Sequence, residues 1–322
     1  MSPAPSSARL TLADIRAAHE RIRDRIHRTP VLTSTTLDQK AGGALFFKCE
    51  NMQKGGAFKA RGATNAVFSL SDAEAARGVA THSSGNHAAA LSRAAKLRGI
   101  PAYIVMPDNV PKAKVAAVER LGGRIAFCEP TIPAREAAVA KLIADTGATL
   151  VHPYDDLRVM AGQGTATLEL LEQAPDLDLI LTPIGGGGLI SGTAVAAKGL
   201  SSTITVIGAE PAGADDAYRS FKAGERIALK QASTIADGLR GTLSDRTFTE
   251  IRSHVADVVT VSEQSLVAAM RLVWEVLKIV IEPSAAVPYA AVIEGKVDVR
   301  GRRVGIVLTG GNLDLDRLPW SP

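Results

Sequence analysis

The most informative stretch of the sequence is Gly55-Gly56-Ala57-Phe58-Lys59-Ala60-Arg61-Gly62-Ala63. Lysine is strongly hydrated and normally stays at the surface, yet glycine and alanine flank it here and an apolar helical pattern follows. Small neighbours let the backbone approach a bound group, and Phe58 can bury the stem of Lys59. A desolvated ε-amine loses its proton more readily, as a lysine that forms a Schiff base must. The stretch by itself also fits a surface lysine at a helix start, with its charge kept in water.

A second motif, Thr81-His82-Ser83-Ser84-Gly85-Asn86-His87, follows a short apolar run and precedes an alanine-rich helical pattern that ends near Arg98. A loop of small hydroxyl residues at a helix N-terminus directs its backbone N–H groups outward. Such a loop is a ready site for an anion, for example a substrate carboxylate. An ordinary helix cap explains one of these side chains, but not two serines, an asparagine and a histidine together.

Two glycine-rich motifs follow strand-like runs. The first is Gly185-Gly186-Gly187-Gly188, where four glycines carry a large entropic cost unless the backbone wraps closely around something. A strand, a glycine loop and a helix in succession are a general plan for binding phosphate. The second is Thr309-Gly310-Gly311-Asn312, which places a hydroxyl at the carboxyl end of a strand, where open α/β sheets bind ligands. Each motif alone is as consistent with a plain turn.

Together these motifs have the order and spacing of one family. The chain resembles the fold-type II pyridoxal-phosphate (PLP) enzymes, in the serine racemase and serine/threonine dehydratase branch. Further matching motifs cover nearly the whole chain: His27-Arg28-Thr29-Pro30-Val31-Leu32, Phe47-Lys48-Cys49-Glu50-Asn51, Ala161-Gly162-Gln163-Gly164-Thr165, Ile235-Ala236-Asp237-Gly238 and Ile281-Glu282-Pro283-Ser284. The resemblance implies an α/β fold like that of tryptophan synthase β chains, with two open, twisted, mostly parallel sheets flanked by helices. It also implies a large domain of residues 1–75 and 156–322, a small domain of residues 76–155, and the cofactor in the cleft between them.

Strand-like and helical runs alternate as that fold requires. Short apolar runs separated by helical patterns predict parallel sheets covered on both faces. The strand-like runs are 45–50, 102–106, 124–128, 149–152, 177–182, 203–209, 258–261 and 304–308, and the helical patterns include 111–121, 133–145 and 263–280.

The resemblance also implies roles for residues at the cofactor. Lys59 would hold PLP covalently and then remove the Cα proton of an amino-acid substrate as general base. The predicted cofactor-binding residues are Lys59, Phe58, Asn86 on the phenolic oxygen, Gly185, Gly186, Gly187 and Gly188 around the phosphate, Glu282, and Thr309 facing the pyridine nitrogen. A hydroxyl partner does not protonate that nitrogen, which weakens the electron sink and favours prompt loss of a β-hydroxyl. The expected reaction is α,β-elimination of L-serine or L-threonine to a 2-oxo acid and ammonia.

Ser84 bears on a second reaction. In serine racemases the matching serine lies on the cofactor face opposite the lysine and can return a proton to the other side of Cα. Lys59 and Ser84 are therefore the predicted catalytic residues, and the predicted substrate-binding residues are Ser83, Ser84, Asn86, His87 and Arg135. Hydroxyaspartate ammonia-lyases carry the same loop, so threo-3-hydroxyaspartate is the alternative substrate. Its second carboxylate would need a further cation, either Arg135, which also fits a solvated arginine in a helix's first turn, or Arg240.

A metal site is the remaining feature that the resemblance implies. Glu210 and Asp216, with the carbonyl of Ala214, supply hard oxygen ligands that suit Mg²⁺, Ca²⁺ or Mn²⁺. Without the resemblance, these acids would be interpreted as an acidic helix cap. The metal would order a loop beside the cofactor rather than take part in the reaction.

The chain departs from the family pattern at two places, and its motifs also bear on other classes of function. Ala88-Ala89-Ala90 replaces a usual glutamine, and Gly241-Thr242 stands where a serine is expected, which counts against nucleotide activation. The sequence ends at Pro322 without a regulatory domain, so control by an end-product amino acid is not expected. A β-replacement enzyme such as a cysteine synthase is less favoured because of His87. A non-catalytic relative would have lost the lysine or the glycine loop, and a nicotinamide dehydrogenase lacks its glycine fingerprint.

Composition limits the partners. The 322 residues contain 37 basic and 33 acidic residues, and the net charge of +4 is unclustered, which argues against nucleic acid or a membrane surface as a partner.

No apolar run approaches the length of a membrane helix, and the start at 1–9 is a Ser/Pro/Ala tail without the apolar core of a signal peptide. Cys49 and Cys128 form no disulfide framework, are expected to be buried, and fit a reducing cytoplasm. The predicted partner is a small amino-acid substrate, and the family suggests a homodimer.

Overall fold

The computed structural model describes residues 8–229 and 231–320, so most of the tail predicted at 1–9 lies outside the described residues. The strands are β1 (Val31–Leu32), β2 (Ala44–Cys49), β3 (Val79–His82), β4 (Ala102–Pro107), β5 (Gly123–Cys128), β6 (Thr149–Leu150), β7 (Leu179–Pro183), β8 (Thr205–Pro211), β9 (Asp257–Val261) and β10 (Arg303–Leu308). The helices are α1 (Leu12–Ile22), α2 (Thr35–Ala41), α3 (Lys59–Phe68), α4 (Asp72–Arg77), α5 (Asn86–Arg98), α6 (Lys112–Arg120), α7 (Ile132–Thr146), α8 (Leu157–Gln173), α9 (Gly188–Leu200), α10 (Asp216–Ala223), α11 (Asp245–His254), α12 (Glu263–Leu277) and α13 (Pro283–Ile293).

These strands form two sheets. The larger has the order β1-β2-β10-β7-β8-β9, and all its pairings are parallel except that of β1 with β2. The smaller has the order β5-β4-β3-β6 and is wholly parallel. Central strands such as β7 are buried along their full length, because helices cover both faces of a parallel sheet. The predicted architecture of two mostly parallel sheets is confirmed.

The smaller sheet lies within residues 79–150, inside the range expected for a small domain. Its strand β3 leads directly into the Ser-Ser-Gly-Asn-His loop and α5. In the larger sheet, β7 leads into the glycine loop and β10 into Thr309. Carboxyl ends of strands from both sheets therefore carry the predicted site residues, as the rule for open α/β sheets requires. The boundaries at 75/76 and 155/156 remain a prediction.

Helix α8 supports two other helices by direct contact of main chains. A Cβ on Gly162 of α8 would lie 2.6 Å from the Cα of Gly62 in α3, and one on Gly192 of α9 would lie 2.6 Å from the nitrogen of Gly164 in α8. Neither separation leaves room for a side chain. Since α3 begins with Lys59 and α9 begins in the glycine loop, α8 sets the spacing between these two parts of the chain.

Three sequence expectations need correction. The helix expected over 263–280 ends at Leu277, because Lys278 has a left-handed backbone with φ of 58°. The strand expected over 149–152 pairs only at Thr149 and Leu150. Cys128 is half-buried rather than buried, since β5 is an edge strand, whereas Cys49 is buried; both thiols are free. Among the described residues, the helices are all too short or too polar to cross a membrane.

Candidate active site

Lys59 begins α3 and is half-buried. Its Nζ donates a hydrogen bond of 2.7 Å to the carbonyl of Pro153 and lies 5.0 Å from the ring centre of Phe58. Burial lowers the pKa of Lys59 to about 8, because a desolvated ammonium is less stable than a neutral amine. The neutral, nucleophilic amine is therefore more populated near neutral pH than it would be for a solvated lysine.

The turn before Lys59 is anchored to the Thr-Gly-Gly-Asn motif. Ala57 forms an antiparallel bridge with Gly310, and the N–H of Phe58 donates to the carbonyl of Thr309 at 2.9 Å. The Thr309 side chain is buried. Two motifs that lie about 250 positions apart in the sequence thus meet at the carboxyl end of β10.

A directional chain of hydrogen bonds fixes the amide of Asn86. The carbonyl of Gly55 can only accept, so it identifies the Nδ2 of Asn312, which donates to it at 2.7 Å and to the Oδ1 of Asn86 at 2.9 Å. The Nδ2 of Asn86 then donates to both oxygens of Glu282, at 3.0 and 3.2 Å. Burial raises the pKa of Glu282 to about 7, although the Asn86 hydrogen bond acts in the opposite direction.

Glycine is required where this chain of hydrogen bonds passes the backbone. A Cβ on Gly56 would lie 2.5 Å from the Oδ1 of Asn312, and a Cβ on Gly310 would lie 2.6 Å from Oε1 of Glu282. Both glycines therefore leave space for polar side chains. The sequence motifs named Asn86 and Glu282, but gave no role to Asn312.

The four-glycine loop joins β7 to α9. Within the described part of the chain, none of the amides of Gly185, Gly186, Gly187 and Gly188 donates a hydrogen bond. Gly187 has φ of 86°, and a Cβ on Gly186 would lie 2.3 Å from the ring of Tyr154. A set of unpaired N–H groups at the start of a helix is an anion-binding arrangement.

Four helices start at this site without a capping side chain. The N-cap residues of α3, α5, α9 and α13 are Phe58, Gly85, Gly187 and Glu282, and none of their side chains makes the capping hydrogen bond. Seven helices elsewhere are capped by Ser, Thr or Asp, for example α1 by Thr11. Helices α6 and α10 also lack a capping side chain, and in the first turn of α3 the N–H groups of Ala60 and Arg61 already bond to main-chain carbonyls. The N–H groups available to a ligand are therefore those at the starts of α5 and α9.

The Ser-Ser-Gly-Asn-His loop places its residues in different surroundings. Ser83 accepts a long hydrogen bond of 3.4 Å from the N–H of Gly85, and Ser84 makes no side-chain hydrogen bond to any described residue. His87 is 2 % exposed; its Nε2 contacts the Val151 carbonyl at 3.1 Å and its Nδ1 has no partner among the described residues. Burial lowers the pKa of His87 to about 3, so its ring is neutral.

Arg135 lies in the first turn of α7, where the charges of Arg135 and Glu136 both act on His82. Its Nε is buried and has no hydrogen-bond partner among the described residues. Arg240 is exposed, and its guanidinium donates to the Thr234 carbonyl at 2.6 Å. Of the two candidate cations, only Arg135 keeps an unused buried donor.

Sequence reasoning missed the segment after β6. The carbonyl of Pro153 accepts from Lys59, the ring of Tyr154 lies against Gly186, and the rings of His152 and Tyr154 meet edge to face at 4.5 Å. His152 in turn lies 5.3 Å from His82. The bond from Lys59 goes to a main-chain carbonyl, which no residue type marks in the sequence. The signal that the sequence does offer here is a proline followed by an aromatic residue at the end of a strand.

The acidic pair, Glu210 and Asp216, is fully buried. Glu210 accepts from the N–H groups of Ala217 and Tyr218, and Asp216 accepts from the N–H of Leu243 through Oδ2. The Oδ1 of Asp216 has no partner among the described residues. Burial, together with the charge of Asp216, raises the pKa of Glu210 well above its usual range, and burial raises that of Asp216 to about 6.

Other acids do not complete this pair. Ala214 is buried in the turn before α10, and Asp215 pairs with Arg219 at 2.8 Å instead of capping the helix. Within the described ranges, no group of three or more His, Cys, Asp or Glu side chains is arranged to hold a metal. The predicted site has two carboxylates and a carbonyl, so any further ligands would have to be main-chain oxygens or water.

Comparisons with known proteins agree with this geometry. The family model described as "Pyridoxal-phosphate dependent enzyme" matches residues 22–310. The chain is 55 % identical over 311 residues to the beta-hydroxyaspartate dehydratase of Paracoccus denitrificans (strain Pd 1222), covering 97 % of this chain and 99 % of that protein. It is 53 % identical over 315 residues to the serine racemase of Arabidopsis thaliana, covering 96 % and 95 %. The structure of maize serine racemase superimposes with a TM-score of 0.94 at 47 % identity, covering 96 % of this chain and 95 % of that one.

The family model spans both sheets and the motifs from the lysine turn to the four-glycine loop, and it ends at Gly310 within the Thr-Gly-Gly-Asn motif. The chain therefore belongs to the family of pyridoxal-phosphate dependent enzymes, with the fold-type II architecture of the serine racemases.

Proposed function

We propose that the protein is a PLP-dependent lyase that eliminates water from a β-hydroxy-α-amino acid, giving a 2-oxo acid and ammonia. One observation carries the proposal: the amine of Lys59, with a pKa of about 8, donates to the Pro153 carbonyl, and the next residue, Tyr154, packs against the glycine loop, whose amides lack acceptors. PLP, when bound, supplies the electron sink that weakens the bonds at the substrate Cα.

The residues present fit that cofactor. The amides of Gly185, Gly186, Gly187 and Gly188 are the donors for its phosphate, and Lys59 is the residue that binds it covalently. Asn86, whose amide is oriented by Glu282 and Asn312, is the proposed donor to the phenolic oxygen, and would exchange one of its two contacts with Glu282 for that bond. The Thr309 hydroxyl and Phe58 complete the predicted set.

Lys59 is also the proposed general base. Its pKa of about 8 lies near a working pH, so the free amine accepts the Cα proton with little free-energy penalty. The substrate carboxylate is assigned to the uncapped start of α5, with Ser83, Asn86 and His87. Because the Val151 carbonyl can only accept, Nε2 of the neutral His87 ring carries the proton. The unpartnered Nδ1 is therefore an acceptor, and His87 would line this site rather than donate to the carboxylate.

The choice of substrate depends on Arg135. Its buried Nε without a partner supports a substrate with a second carboxylate, and a relative at 55 % identity is a beta-hydroxyaspartate dehydratase. L-Serine and L-threonine have no such carboxylate. We therefore place threo-3-hydroxyaspartate beside L-serine and L-threonine as candidate substrates, with Arg135 as the residue that discriminates between them.

Racemisation of serine is a second candidate activity, favoured by Ser84. Its hydroxyl has no hydrogen-bond partner among the described residues, so it is free to donate a proton to Cα. Relatives at 53 % and 49 % identity are serine racemases. Replacement of Ser84 by alanine is then expected to remove D-serine formation while elimination persists.

The test is release of 2-oxo acid from L-serine, L-threonine and L-threo-3-hydroxyaspartate, each incubated with PLP-loaded protein and Mg²⁺. Turnover is expected to disappear in Lys59→Ala. Loss of Arg135 in Arg135→Gln should lower hydroxyaspartate turnover more than serine turnover. If none of the three substrates is consumed by PLP-loaded protein, the proposal is wrong.

We also infer a structural divalent cation, with Mg²⁺ preferred, at Glu210, Asp216 and the Ala214 carbonyl. The unpartnered, buried Oδ1 of Asp216 supports it, because a cation would satisfy that oxygen.

The family suggests a homodimer, which sedimentation would test. Two free cysteines support a cytoplasmic location, which localisation of a tagged protein would test.

A further inference from the structure

A buried ion network lies next to the lysine and has no part in the proposed chemistry. Arg61, two positions after Lys59, is completely buried. Its guanidinium binds two carboxylates, each through two hydrogen bonds: Glu50 at 2.7 and 2.7 Å, and Glu169 at 2.8 and 2.7 Å. Paired bonds of this kind fix both the distance and the plane of the groups they join.

Lys48 completes the network. Its Nζ donates to Oε2 of Glu169 at 2.7 Å, to the Thr29 carbonyl at 2.8 Å and to the Gln173 side chain at 2.8 Å, which uses all three of its N–H groups. Two cations and two carboxylates leave no net charge. The Arg61 network (Lys48, Glu50, Arg61 and Glu169) thus has no unpaired buried polar atom among the described residues.

Stability alone does not account for such a network. Taking charges out of water is costly, and well-packed apolar replacements of buried ion pairs are often as stable or more so. The network fixes the relative positions of the groups that it joins. An apolar cluster tolerates small rotations of its side chains, whereas a guanidinium held by two pairs of hydrogen bonds does not. The role of the network therefore depends on which part of the chain it keeps in position.

The part held is the first turn of α3. Arg61 fixes this turn from one side by joining it to Glu50 after β2 and Glu169 in α8. The bridge between Ala57 and Gly310 fixes it from the other side. Lys59 lies between these two anchors.

The same helix α8 that carries Glu169 also touches α3 at Gly62 and α9 at Gly192. Since α9 begins in the glycine loop, α8 is a common support for the lysine and for the loop. The Ala-Gly-Gln-Gly-Thr motif of α8 therefore has a supporting role. Gly162 and Gly164 contact α3 and α9, and the hydroxyl of Thr165 accepts a hydrogen bond of 3.1 Å from Arg61.

We propose that Arg61 is a positioning residue for Lys59: its guanidinium, bound by Glu50 and Glu169, sets the place of the ε-amine relative to the glycine loop. The proposal rests on the proposed function in one respect, that Lys59 is the residue that binds PLP. It concerns a residue that touches neither cofactor nor substrate and acts through the backbone of α3.

The test compares Arg61→Lys with a control at the opposite end of the same helix. The guanidinium of Arg98 donates to the carbonyls of Val67 and Leu70, where α3 ends, so Arg98→Lys perturbs that helix away from the lysine. For each PLP-loaded protein, we would measure the pH titration of the Lys59–PLP absorbance, the rate of borohydride trapping, kcat, KM and the unfolding midpoint.

Arg61→Lys is expected to shift the midpoint of the spectral titration and to slow trapping. It should also lower kcat by about 100-fold, the scale of a misplacement near 1 Å, with KM changed by less than about threefold. Arg98→Lys should leave the titration and trapping unchanged even if it lowers the unfolding midpoint. Wild-type titration and trapping in Arg61→Lys, or equal changes in Arg98→Lys, would overturn the proposal.

Glu169→Gln keeps the inference testable if Arg61→Lys does not fold, because it preserves size and one oxygen acceptor. It is expected to shift the same titration in the same direction by a smaller amount, and an unshifted titration contradicts the proposal. Lys59→Ala separates this proposal from the previous one. Borohydride trapping of PLP on Lys59→Ala protein would show that another residue binds the cofactor, which refutes the proposed role of Lys59 itself.

Discussion

The protein buries charge in two ways, and the difference between them is informative. The Arg61 network pairs two cations with two carboxylates and satisfies each charged group from within the chain. Within residues 8–229 and 231–320, the acidic pair has no buried cation bonded to it and Oδ1 of Asp216 has no partner. The pKa values of both carboxyl groups are raised. A complete network fixes the chain's own geometry, whereas an incomplete one is suited to receive a ligand.

The largest expected effect comes from breaking the complete network. Arg61→Met leaves Glu50 and Glu169 buried without their shared cation, which should reduce the free energy of unfolding by about 3–5 kcal/mol. Urea denaturation at pH 7 measures this loss. A decrease in the free energy of unfolding of less than about 1 kcal/mol would mean that water solvates the two carboxylates. The Arg61 network would then not differ from the acidic pair in how it buries charge.

Completing the incomplete pair should stabilise the protein. Mg²⁺ that binds only the folded state at 100 times its Kd is expected to add about 2.7 kcal/mol, seen as a higher unfolding midpoint than in EDTA. Asp216→Asn should abolish this gain, while Asp215→Asn, next to it but paired with Arg219, should retain most of it. An equal Mg²⁺ effect in all three proteins would place the ion elsewhere.

The metal-free acidic pair should also respond to pH. Because the pKa of Asp216 is raised from 3.8 to about 6 on folding, the folded state binds more protons than the unfolded chain between these values. Stability of EDTA-treated protein should therefore fall as pH rises through this window. Asp216→Asn should reduce the fall, part of which Glu210 still causes through its own raised pKa, and should be more stable than wild type at pH 8 by up to about 3 kcal/mol. The same stability at pH 5 and pH 8 in both proteins would contradict this account.

The smallest effect is expected at the surface. Arg271 and Glu275 form an ion pair of 2.7 Å on α12, with both side chains more than half exposed. Arg271→Ala should change the free energy of unfolding by less than about 0.5 kcal/mol, since water already solvates both charges. A loss comparable to that of Arg61→Met would show that burial is not what distinguishes these arginines.

Much of the site could be predicted because its motifs are local in the sequence. The serine loop and the four glycines each follow directly after a strand, β3 and β7, where the sequence pattern and the chain direction indicate the same place, and the lysine turn begins a few residues after β2. The fold class followed from alternation of strands and helices together with the family resemblance. The roles of individual residues, and the division into two domains, remain predictions.

The missed features share a physical cause. The Pro153 carbonyl that accepts from Lys59 is a main-chain atom 94 positions away, so no residue type marks it. Glu50 and Glu169 resemble solvated acids in the sequence, and only folding brings both to Arg61. Cys128 looked buried because β5 is apolar, but an edge strand has a neighbour on one side only.

The contacts of α8 with α3 and α9 have a consequence for engineering. Where Gly62 meets Gly162 and Gly164 meets Gly192, only main-chain atoms set the separation, and main-chain atoms have the same size in every variant. Side-chain libraries at Ser84 and Arg135 therefore leave the separation between the lysine and the glycine loop untouched. Substitutions at these two positions can therefore vary the preference for an amino acid while the spacing of α3, α8 and α9 stays the same.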